Sequence, residues 1–519
     1  MSYDGFISVG NKTTLQTPGI IPFVSTLRFF PDEDARKYCY VVPVVKGGKY
    51  LVRTTYYYGG FDGGKEPPVF DQIIDGTTWS TVNTSESFAN GLTSYYEIVV
   101  SAPGKVLSVC LARSEQTKSS PFINAVELEY LENSMYNSTD FNKYALGTIA
   151  RHRFGFDGGI MSFPDDPYNR YWEAFMDDNP TVSAHSNVTS TDFWNLPPAK
   201  AFEAGLTTSR GKTLQVQWPP MSLPTAAYYI ALYFQDNRTP SPYSWRVFNV
   251  AINDKTFYNN LNVTAAGISV FGNNWPLSGK TQVTLTPEDG SPVGPVINAG
   301  EVLQLLPLGG RTHTRDDYLR LKGSSCCTVI AMDAIARSFT NPPADWKGDP
   351  CLPPQNSWTG LSCTQDKFAR VITLNLTGYG ISGSLSPSFA DLTAAKNIWL
   401  GDNKLSGSIP ALTHSKKLVS VHLENNQLNG KIPESLADLE HLKELYVSQI
   451  PDRHELNGPL FRSFLQNNKF EGDVPERFEA ARMSNYKKKS DGICKALEEN
   501  GTVLTLPEIY WPLDLQNGP

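Results

Sequence analysis

The chain has 519 residues, which is too long for one hydrophobic core and predicts about three domains of roughly 150 residues each. It is 12% aromatic and has 37 prolines and 40 glycines but only 19% charged residues, a composition that favours short strands and turns over long charged helices. The net charge of −7 argues against a nucleic-acid partner, because binding phosphates requires a positive surface.

The sequence gives two opposing indications of its compartment. It opens with Met1-Ser2-Tyr3-Asp4 and has neither a leader with an apolar region nor a run of about 18 apolar residues that could span a membrane. It also has eight Asn-x-Ser/Thr sequons, most of them in polar, turn-like surroundings that suit N-linked glycans. These are Asn11, Asn83, Asn137, Asn187, Asn237, Asn262, Asn375 and Asn500. We therefore predict an extracellular or cell-surface protein whose export signal lies outside this sequence.

One strand pattern occurs twice in the first part of the chain. Residues 121–131 have the sequence "PFINAVELEYL" and residues 295–305 have "PVINAGEVLQL". Upstream, "YLVRTTYYYGG" at 50–60 corresponds to "YYIALYFQDN" at 228–237, and a period-two strand with a turn follows each at a similar distance. Three landmarks in the same order predict two copies of one domain.

Each copy consists of short alternating strands between Gly, Pro and Asn turns, which predicts two antiparallel sheets packed face to face. We assign a first β-sandwich lobe to residues 1–138 and a second to residues 156–312. The segment 139–155 between them is predicted to contain a short helix and to act as a linker. Cys39 and Cys110 lie in apparent strands of the first lobe, where a disulfide and two buried free thiols are both compatible with the sequence.

The last third of the chain has a different period. Leu376, Leu400 and Leu423 are 24 and 23 residues apart, and the last two begin "LGDNKLSGSIP" and "LENNQLNGKIP". This leucine-rich repeat pattern predicts a short solenoid over residues 367–478. Alternation along its strands predicts a concave contact face formed by Thr373, Asn375, Asn397, Trp399, Ser420, His422, Glu444 and Tyr446.

Two segments interrupt these patterns. Residues 447–464 split one repeat, and residues 317–328, with Cys326 and Cys327, interrupt a connector at 313–345. We interpret both as unusual splice or gene-model segments; transcript reads that cross both junctions would contradict this. Residues 479–519 are expected to be a disordered tail.

Several motifs together carry a family resemblance. The doubled sandwich with its Pro-x-Ile-Asn-Ala strands, then "ADWKGDPC", "SWTGLSC" and the repeats, resembles the extracellular part of plant malectin-like/leucine-rich-repeat receptor-like proteins and receptor kinases. The resemblance implies a mainly β fold: two malectin-like lobes followed by a leucine-rich-repeat α/β solenoid. It also implies a cap at 346–366 with Cys351 and Cys363, whose spacing suits a local disulfide in an oxidising compartment.

Catalysis is not expected. The sequence has no zinc-protease, P-loop, nucleophile-elbow or kinase motif in a suitable setting, and neither a cofactor nor a metal is predicted. Asp165 and Asp166 could in principle form a glycosidase pair, but a solvated turn before Pro167 is the favoured interpretation.

Binding is the favoured function, because flat aromatic rings on loops stack on sugars or peptide side chains. The candidates in the lobes are Tyr56, Tyr57, Tyr58, Trp79, Tyr168, Tyr171, Trp172, Tyr243 and Trp245, of which at least half are expected in the core. On the solenoid the candidates are Trp399, His422, Glu444 and Tyr446. The predicted ligand is a cell-wall carbohydrate or a secreted peptide, and the predicted partner is a membrane receptor kinase or co-receptor. The alternative is a soluble truncated decoy or structural interaction protein.

Overall fold

The computed structural model describes residues 6–64, 66–185, 188, 193–236, 238–239, 241–309, 311–312, 328–366 and 368–446, with strands at 462–464 and 469–470. Residues 317–327 and 447–461 of the two predicted insertions, and the tail 479–519, lie outside the described residues. The chain divides into two compact units. The first comprises Met1–Thr312, Pro343–Thr359 and Gln365–Ala369, and the second comprises His313–Pro342, Gly360–Thr364 and Arg370–Pro519.

The first lobe contains ten strands and one short helix, α1 (Ser85–Ala89). Its strands are β1 (Asn11–Thr14), β2 (Thr26–Phe29), β3 (Lys37–Pro43), β4 (Lys49–Tyr56), β5 (Val69–Ile74), β6 (Thr77–Asn83), β7 (Ser94–Ser101), β8 (Val106–Ala112), β9 (Phe122–Ile123) and β10 (Ala125–Leu131).

Strands are the main regular elements among the described residues of the second lobe. They are β11 (Tyr144–Phe154), β12 (Glu173–Phe175), β13 (Thr181–Ser183), β14 (Ala204–Thr207), β15 (Leu214–Gln217), β16 (Leu223–Phe234), β17 (Trp245–Ile252), β18 (Lys255–Thr264), β19 (Ile268–Gly279), β20 (Gln282–Pro287), β21 (Val296–Ile297), β22 (Ala299–Pro307) and β23 (Arg311–Thr312), the last of which pairs with β25 (Phe368–Ala369).

An eight-stranded sheet runs through both lobes in the order β10-β4-β7-β11-β22-β16-β19, with β12 added beside β11. One face of this sheet carries the four-stranded sheet β3-β8-β5-β6 in the first lobe and β15-β20-β17-β18 in the second, which completes two sandwiches. The opposite face is covered by the segments 131–143, 156–185 and 193–202, whose Tyr136, Trp172 and Phe202 belong to one buried cluster with Leu146 and Leu303. The large sheet is therefore buried on both faces.

The predicted helix in 139–155 is wrong, because residues Tyr144–Phe154 form strand β11 in the middle of the large sheet. β11 pairs with β7 of the first lobe and β22 of the second. Its apolar residues alternate between the two buried faces, and a bulge between Thr148 and Ala150 shifts that alternation by one residue. A sequence that is apolar on both sides imitates helical periodicity over short windows.

The asparagine of the repeated Ile-Asn-Ala motif forms equivalent backbone hydrogen bonds in both lobes. Asn124 accepts a hydrogen bond from the backbone N–H of Tyr57 at 2.7 Å and donates to the carbonyl of Val24 at 2.8 Å. Asn298 accepts from the N–H of Gln235 at 2.8 Å and donates to the carbonyl of Ala204 at 2.9 Å. Each side chain replaces a missing backbone partner at the point where the chain passes from one sheet to another, which accounts for the duplicated pattern.

The segment Pro343–Thr359 belongs to the first unit. Gly348, at φ +73°, lies over the Cys39–Cys110 disulfide, where a Cβ would approach Cys39 Sγ to 3.0 Å. Asp349 accepts hydrogen bonds from the N–H groups of Cys351 and Leu352 at 2.8 and 2.9 Å. The Gly-Asp-Pro-Cys motif is therefore a turn fitted against the first lobe.

The described part of the second unit starts at helix α2 (Thr328–Ser338) and continues as a two-sided solenoid. One sheet has the order β24-β26-β28-β30-β32-β33 and the other has β27-β29-β31-β34. Two of the connections between them contain short 3₁₀ helices, at Pro387–Asp391 and Glu434–Leu436. The strands are β24 (Leu361–Cys363), β26 (Val371–Asn375), β27 (Ser382–Ser384), β28 (Asn397–Trp399), β29 (Lys404–Ser408), β30 (Ser420–His422), β31 (Gln427–Gly430), β32 (Glu444–Tyr446), β33 (Arg462–Phe464) and β34 (Lys469–Phe470). β33, inside the predicted interruption, pairs in parallel with β32.

Candidate functional site: the strand face of the solenoid

Four parallel strands, β26, β28, β30 and β32, present one surface, which we call the strand face. Each strand buries its middle residue, and these form a single row in register: Leu374, Ile398, Val421 and Leu445. The residues on either side of each middle residue point the other way because side chains alternate along a strand. They form two further rows, a polar row of Thr373, Asn397, Ser420 and Glu444 and an aromatic row of Asn375, Trp399, His422 and Tyr446.

The rings of the aromatic row contact one another. Trp399 and His422 are stacked, with ring centroids 5.5 Å apart and planes inclined by 24°. His422 and Tyr446 meet edge to face at 4.2 Å. All three rings are half-buried, so they remain accessible to a partner. Contacts of this kind are worth about 0.5–1.5 kcal/mol each and hold the rings in fixed orientations.

Hydrogen bonds connect the aromatic row to the polar row. The indole Nε1 of Trp399 donates to Ser420 Oγ, which lies 3.3 Å from His422 Nε2. The same His422 nitrogen is 3.5 Å from Glu444 Oε2, and Asn397 Nδ2 donates to Thr373 Oγ1 at 3.1 Å. The surface is therefore pre-organised, which lowers the entropy lost when a partner binds.

Buried asparagines fix the spacing of the repeats behind the strand face. Asn403 donates to the carbonyls of Leu376 and Leu400 at 2.7 and 3.0 Å. Asn426 donates to the carbonyls of Leu400 and Leu423 at 2.9 and 3.1 Å, and it accepts from the N–H of Leu405. Each amide satisfies backbone groups of two successive turns, as the repeat pattern predicts.

A groove of about 640 Å³ lies at the amino-terminal ends of the same strands. Exposed Lys396, Lys417 and Lys443 line it together with His441 and Glu440. With three lysines and one carboxylate, the groove is positive in a chain whose net charge is −7.

Four of the aromatic residues that we predicted as ligand-binding candidates in the lobes are buried. Tyr56, Tyr58, Trp79 and Trp172 are buried in the core and do not reach the surface. Trp172, for example, is 0% exposed, and its Nε1 donates to Asp166 Oδ2 at 2.6 Å. Burial therefore argues against a ligand contact at these positions: Tyr56, Tyr58 and Trp79 pack inside the first lobe, and Trp172 packs against the large sheet.

Asp166 is also not in a solvated turn. It is fully buried and accepts a charge-assisted hydrogen bond from Arg170 Nε at 2.8 Å. Its neighbour Asp165 pairs at the surface with Lys200 at 2.7 Å. The two carboxylates therefore serve separate ion pairs rather than one reacting centre.

Tyr171 is the candidate with the most defined surroundings. Its ring is half-buried, lies 3.4 Å from the guanidinium of Arg53 and meets Tyr95 edge to face at 5.0 Å. The hydroxyl of Tyr95 donates to Glu173, which is 43% exposed. Tyr95 and Glu173 were not predicted, although the alternating "SYYEIVV" around Tyr95 could have indicated a tyrosine on each face.

The other predicted candidates are spread over the lobes. Tyr57 and Tyr168 are half-buried, Tyr243 is 66% exposed and Trp245 is 36% exposed. Tyr243 lies in a surface loop where its carbonyl accepts a hydrogen bond from Arg238 at 2.8 Å.

A row of alternating charges, buried except for Glu127, lies beside Tyr171. Glu127, Arg53, Glu97, Arg151 and Glu301 follow one another across five adjacent strands of the large sheet. Burial opposes ionisation of Glu301, but Arg151 and Arg170 outweigh that effect and lower its pKa. Burial likewise opposes the charge on Arg53, whereas Glu97 and Glu127 raise its pKa. Both pKa shifts favour the charged form, so Glu301 and Arg53 are each compensated by the opposite charges beside them in the row.

Five of the eight predicted sequons lie in the described part of the chain, and all five asparagines are exposed: Asn11, Asn83, Asn137, Asn262 and Asn375. Asn187, Asn237 and Asn500 lie outside the described residues. Cys351 and Cys363 are both disulfide-bonded, and the open question about Cys39 and Cys110 is resolved in favour of a disulfide.

Within the described residues, no group of three or more His, Cys, Asp or Glu side chains is arranged to hold a metal ion. None of the described helices has the length and apolar character that crossing a membrane requires.

The chain belongs to the malectin-like domain family, whose sequence profile matches residues 1–305, and a leucine-rich-repeat profile matches residues 417–439. This confirms the predicted resemblance and the mainly β fold. In Arabidopsis thaliana a similar protein is the probable LRR receptor-like serine/threonine-protein kinase At1g67720, 30% identical over 452 residues. That match spans 79% of this chain and 44% of the relative, so the chain corresponds to less than half of the relative's length.

A comparison with solved structures matches the ANX2 ectodomain from Arabidopsis thaliana, with a TM-score of 0.47 and 18% identity over 58% of this chain and 90% of that one. Another match is the plant peptide RALF23 in complex with FER and LLG2, with a TM-score of 0.47 and 18% identity over 58% of this chain and 89% of that one.

Proposed function

We propose that this chain is the ligand-binding extracellular part of a receptor-like protein and has no catalytic activity of its own. The lobes bind a cell-wall carbohydrate or a secreted peptide, and the strand face of the solenoid binds a partner receptor kinase or co-receptor. The observation that carries the proposal is the aromatic row of Trp399, His422 and Tyr446, held accessible and in register on three successive strands.

The chemistry of the strand face suits a protein partner. Tryptophan and tyrosine provide large contact areas at a small loss of conformational entropy, and they are enriched among the residues that dominate binding energy. The polar row beside them supplies hydroxyl, amide and carboxylate groups that can pair with a partner's backbone. The positive groove next to this face favours a partner with an acidic rim.

The surroundings of Tyr171 suit a smaller ligand. A sugar ring can stack on an aromatic face while carboxylates such as Glu127 and Glu173 accept hydrogen bonds from its hydroxyls. Because Arg53 holds the tyrosine ring from one side, the site is rigid before ligand binds. A peptide with an aromatic or basic side chain could use the same groups.

The first experiment measures binding of the full chain, secreted and glycosylated, to an array of cell-wall oligosaccharides and to purified receptor-kinase ectodomains. We expect Tyr171→Ala to lower carbohydrate binding and Tyr446→Ala to lower ectodomain binding, each at least tenfold and without affecting the other. Tyr379→Ala is the matched control, because Tyr379 is 49% exposed and lies outside the solenoid strands. Equal effects of Tyr446→Ala and Tyr379→Ala would rule out the strand face as the partner surface.

A decoy is the second candidate function, because the same two surfaces would compete for ligand and partner without signalling. Its distinguishing property is inhibition: added chain would suppress the response of cells that carry an intact receptor. Enhancement of that response would contradict a decoy and favour a co-receptor role.

A further inference from the structure

Asn375 occupies the first position of the aromatic row. It is exposed at the carboxyl end of β26, and its register partner on the next strand is Trp399. It forms the sequon Asn375-Leu376-Thr377, and its Oδ1 accepts a hydrogen bond from the N–H of Thr377 at 3.1 Å. The carboxamide is thus held by its oxygen, with its Nδ2 available on the strand face.

The two faces of the Trp399 indole have different surroundings. One face is covered by His422, whose ring is inclined by only 24° to the indole. The Nε1–H bond to Ser420 fixes the ring in this position. Because β28 lies between β26 and β30, the other face of the indole is on the side of Asn375. Neighbouring strands are about 4.8 Å apart, a distance that accommodates a sugar ring in contact with an aromatic face.

We propose that Asn375 carries an N-linked glycan whose first N-acetylglucosamine stacks on Trp399. The Nδ2 atom bonds to C1 of the sugar, the bond from C1 to the oxygen of a lipid-linked pyrophosphate donor breaks, and the displaced amide proton leaves with the pyrophosphate. The sugar ring then lies against the Trp399 indole at the Asn375 end of the aromatic row.

This glycan limits the surface that a partner can use. With Trp399 covered by sugar, the accessible part of the strand face is the end formed by His422, Glu444 and Tyr446, together with the adjoining positive groove. The inference rests on the proposed function in one respect, which is that the chain enters the secretory pathway.

Asn83 provides a matched internal control. It is an exposed sequon asparagine at the end of a strand, and its Oδ1 accepts a hydrogen bond from the N–H of Ser85 at 3.0 Å. Its register partner, however, is Val69. A sugar on Asn83 therefore meets the same local backbone geometry with no opposing indole.

The test uses the full chain, secreted from plant cells with a supplied signal peptide. Site occupancy at Asn375 and Asn83 is measured by mass spectrometry of glycopeptides, followed by the rate at which a peptide N-glycosidase removes each glycan from the native protein. We expect both sites to be occupied and the Asn375 glycan to be released at least fivefold more slowly. Trp399→Ala should raise the Asn375 rate to that of Asn83, while Trp399→Phe, which keeps an aromatic face, should raise it only partly.

The outcomes separate this inference from the proposed function. An occupied Asn83 with an unoccupied Asn375, or equal release rates in the unaltered protein, overturns the inference alone. If neither site is occupied, both the inference and the premise of an exported glycoprotein fail. An unchanged hydrogen-exchange rate of the buried Leu405 amide in Trp399→Ala shows that the solenoid of the variant is folded, so that a faster release rate at Asn375 reports on stacking.

Discussion

The Nε atom of Arg151 lies 2.7 Å from Oε1 of Glu301, and both side chains are buried in the middle of the large sheet. Arg151 also pairs with Glu97, so one guanidinium joins a carboxylate of the first lobe to a carboxylate of the second. Glu301 in turn accepts hydrogen bonds from the hydroxyls of Tyr136 and Tyr233 at 2.7 and 2.6 Å.

Removing the charge of Glu301 is therefore expected to be strongly destabilising. Glu301→Gln leaves Arg151 partly uncompensated in a buried site, and losing one partner of a buried pair typically lowers the free energy of unfolding by about 3–5 kcal/mol. Urea denaturation followed by fluorescence would measure the loss. Glu66→Gln, which breaks the exposed pair between Glu66 and Lys118, should cost less than about 1 kcal/mol. If Glu301→Gln and Glu66→Gln lowered the free energy of unfolding by similar amounts, burial would not determine how much each ion pair contributes to stability.

The stability of the protein should rise with pH above pH 8. Lys37 is buried, its Nζ donates to the carbonyls of Asp349 and Leu352 at 2.6 and 2.7 Å, and burial lowers its pKa from 10.5 to about 8. Between those two pH values the unfolded chain binds a proton that the folded chain does not, so the free energy of unfolding increases with pH. The limiting slope is about 1.4 kcal/mol per pH unit for each such group. Burial also lowers the pKa of Lys49 to about 8, which adds to the same slope.

The contribution of Lys37 can be isolated by substitution. In denaturation curves from pH 7 to 9.5, Lys37→Met should reduce the slope by about half, since only Lys49 of this pair then remains. Lys118→Met, at a site that is 71% exposed, should leave the slope unchanged. If Lys37→Met left the slope of the unfolding free energy against pH unaltered, Lys37 would not be a source of the pH dependence.

The Cys39–Cys110 disulfide should make a large contribution to the stability of the first lobe. The two residues are register partners on β3 and β8, are separated by 71 residues in sequence and are both buried. Cys39→Ala/Cys110→Ala should lower the free energy of unfolding by about 2–5 kcal/mol, because the unfolded chain is no longer cross-linked. Reductant should destabilise the parent protein more than the double variant, as judged by melting temperature.

Asn426 should be required for local order in the solenoid. Asn426→Ala leaves the carbonyls of Leu400 and Leu423 and the N–H of Leu405 without their buried partner, at about 1–3 kcal/mol for each unsatisfied group. Hydrogen exchange of the Leu405 amide should accelerate at least tenfold. The exposed Asn429→Ala is the control and should leave that exchange rate as it is.

The solenoid was the easier part to predict because its interactions are local and periodic. Spacings of 24 and 23 residues determined which leucines face inward, and alternation then placed Trp399 and His422 on the opposite surface. In the structure, Trp399 and His422 are register partners on neighbouring strands and lie on the predicted face.

The lobes were harder because their burial depends on residues distant in sequence. Tyr56 and Trp172 lie in aromatic segments typical of binding loops, yet Tyr56 packs in the core of the first lobe, and Trp172 belongs to the segment that packs on the large sheet. Asp166 precedes a proline, as turn residues do, but it is buried with Arg170. No pattern within a short window contains that information.

The position of β11 between β7 and β22 has a consequence for the history of the molecule. After duplication the two copies ceased to be interchangeable modules, because each now supplies the hydrogen-bonding neighbour of the other. Deleting either copy would expose a long central strand whose unpaired N–H and C=O groups are a template for aggregation. We therefore expect that neither copy can be exchanged for another domain unless its neighbour is exchanged with it.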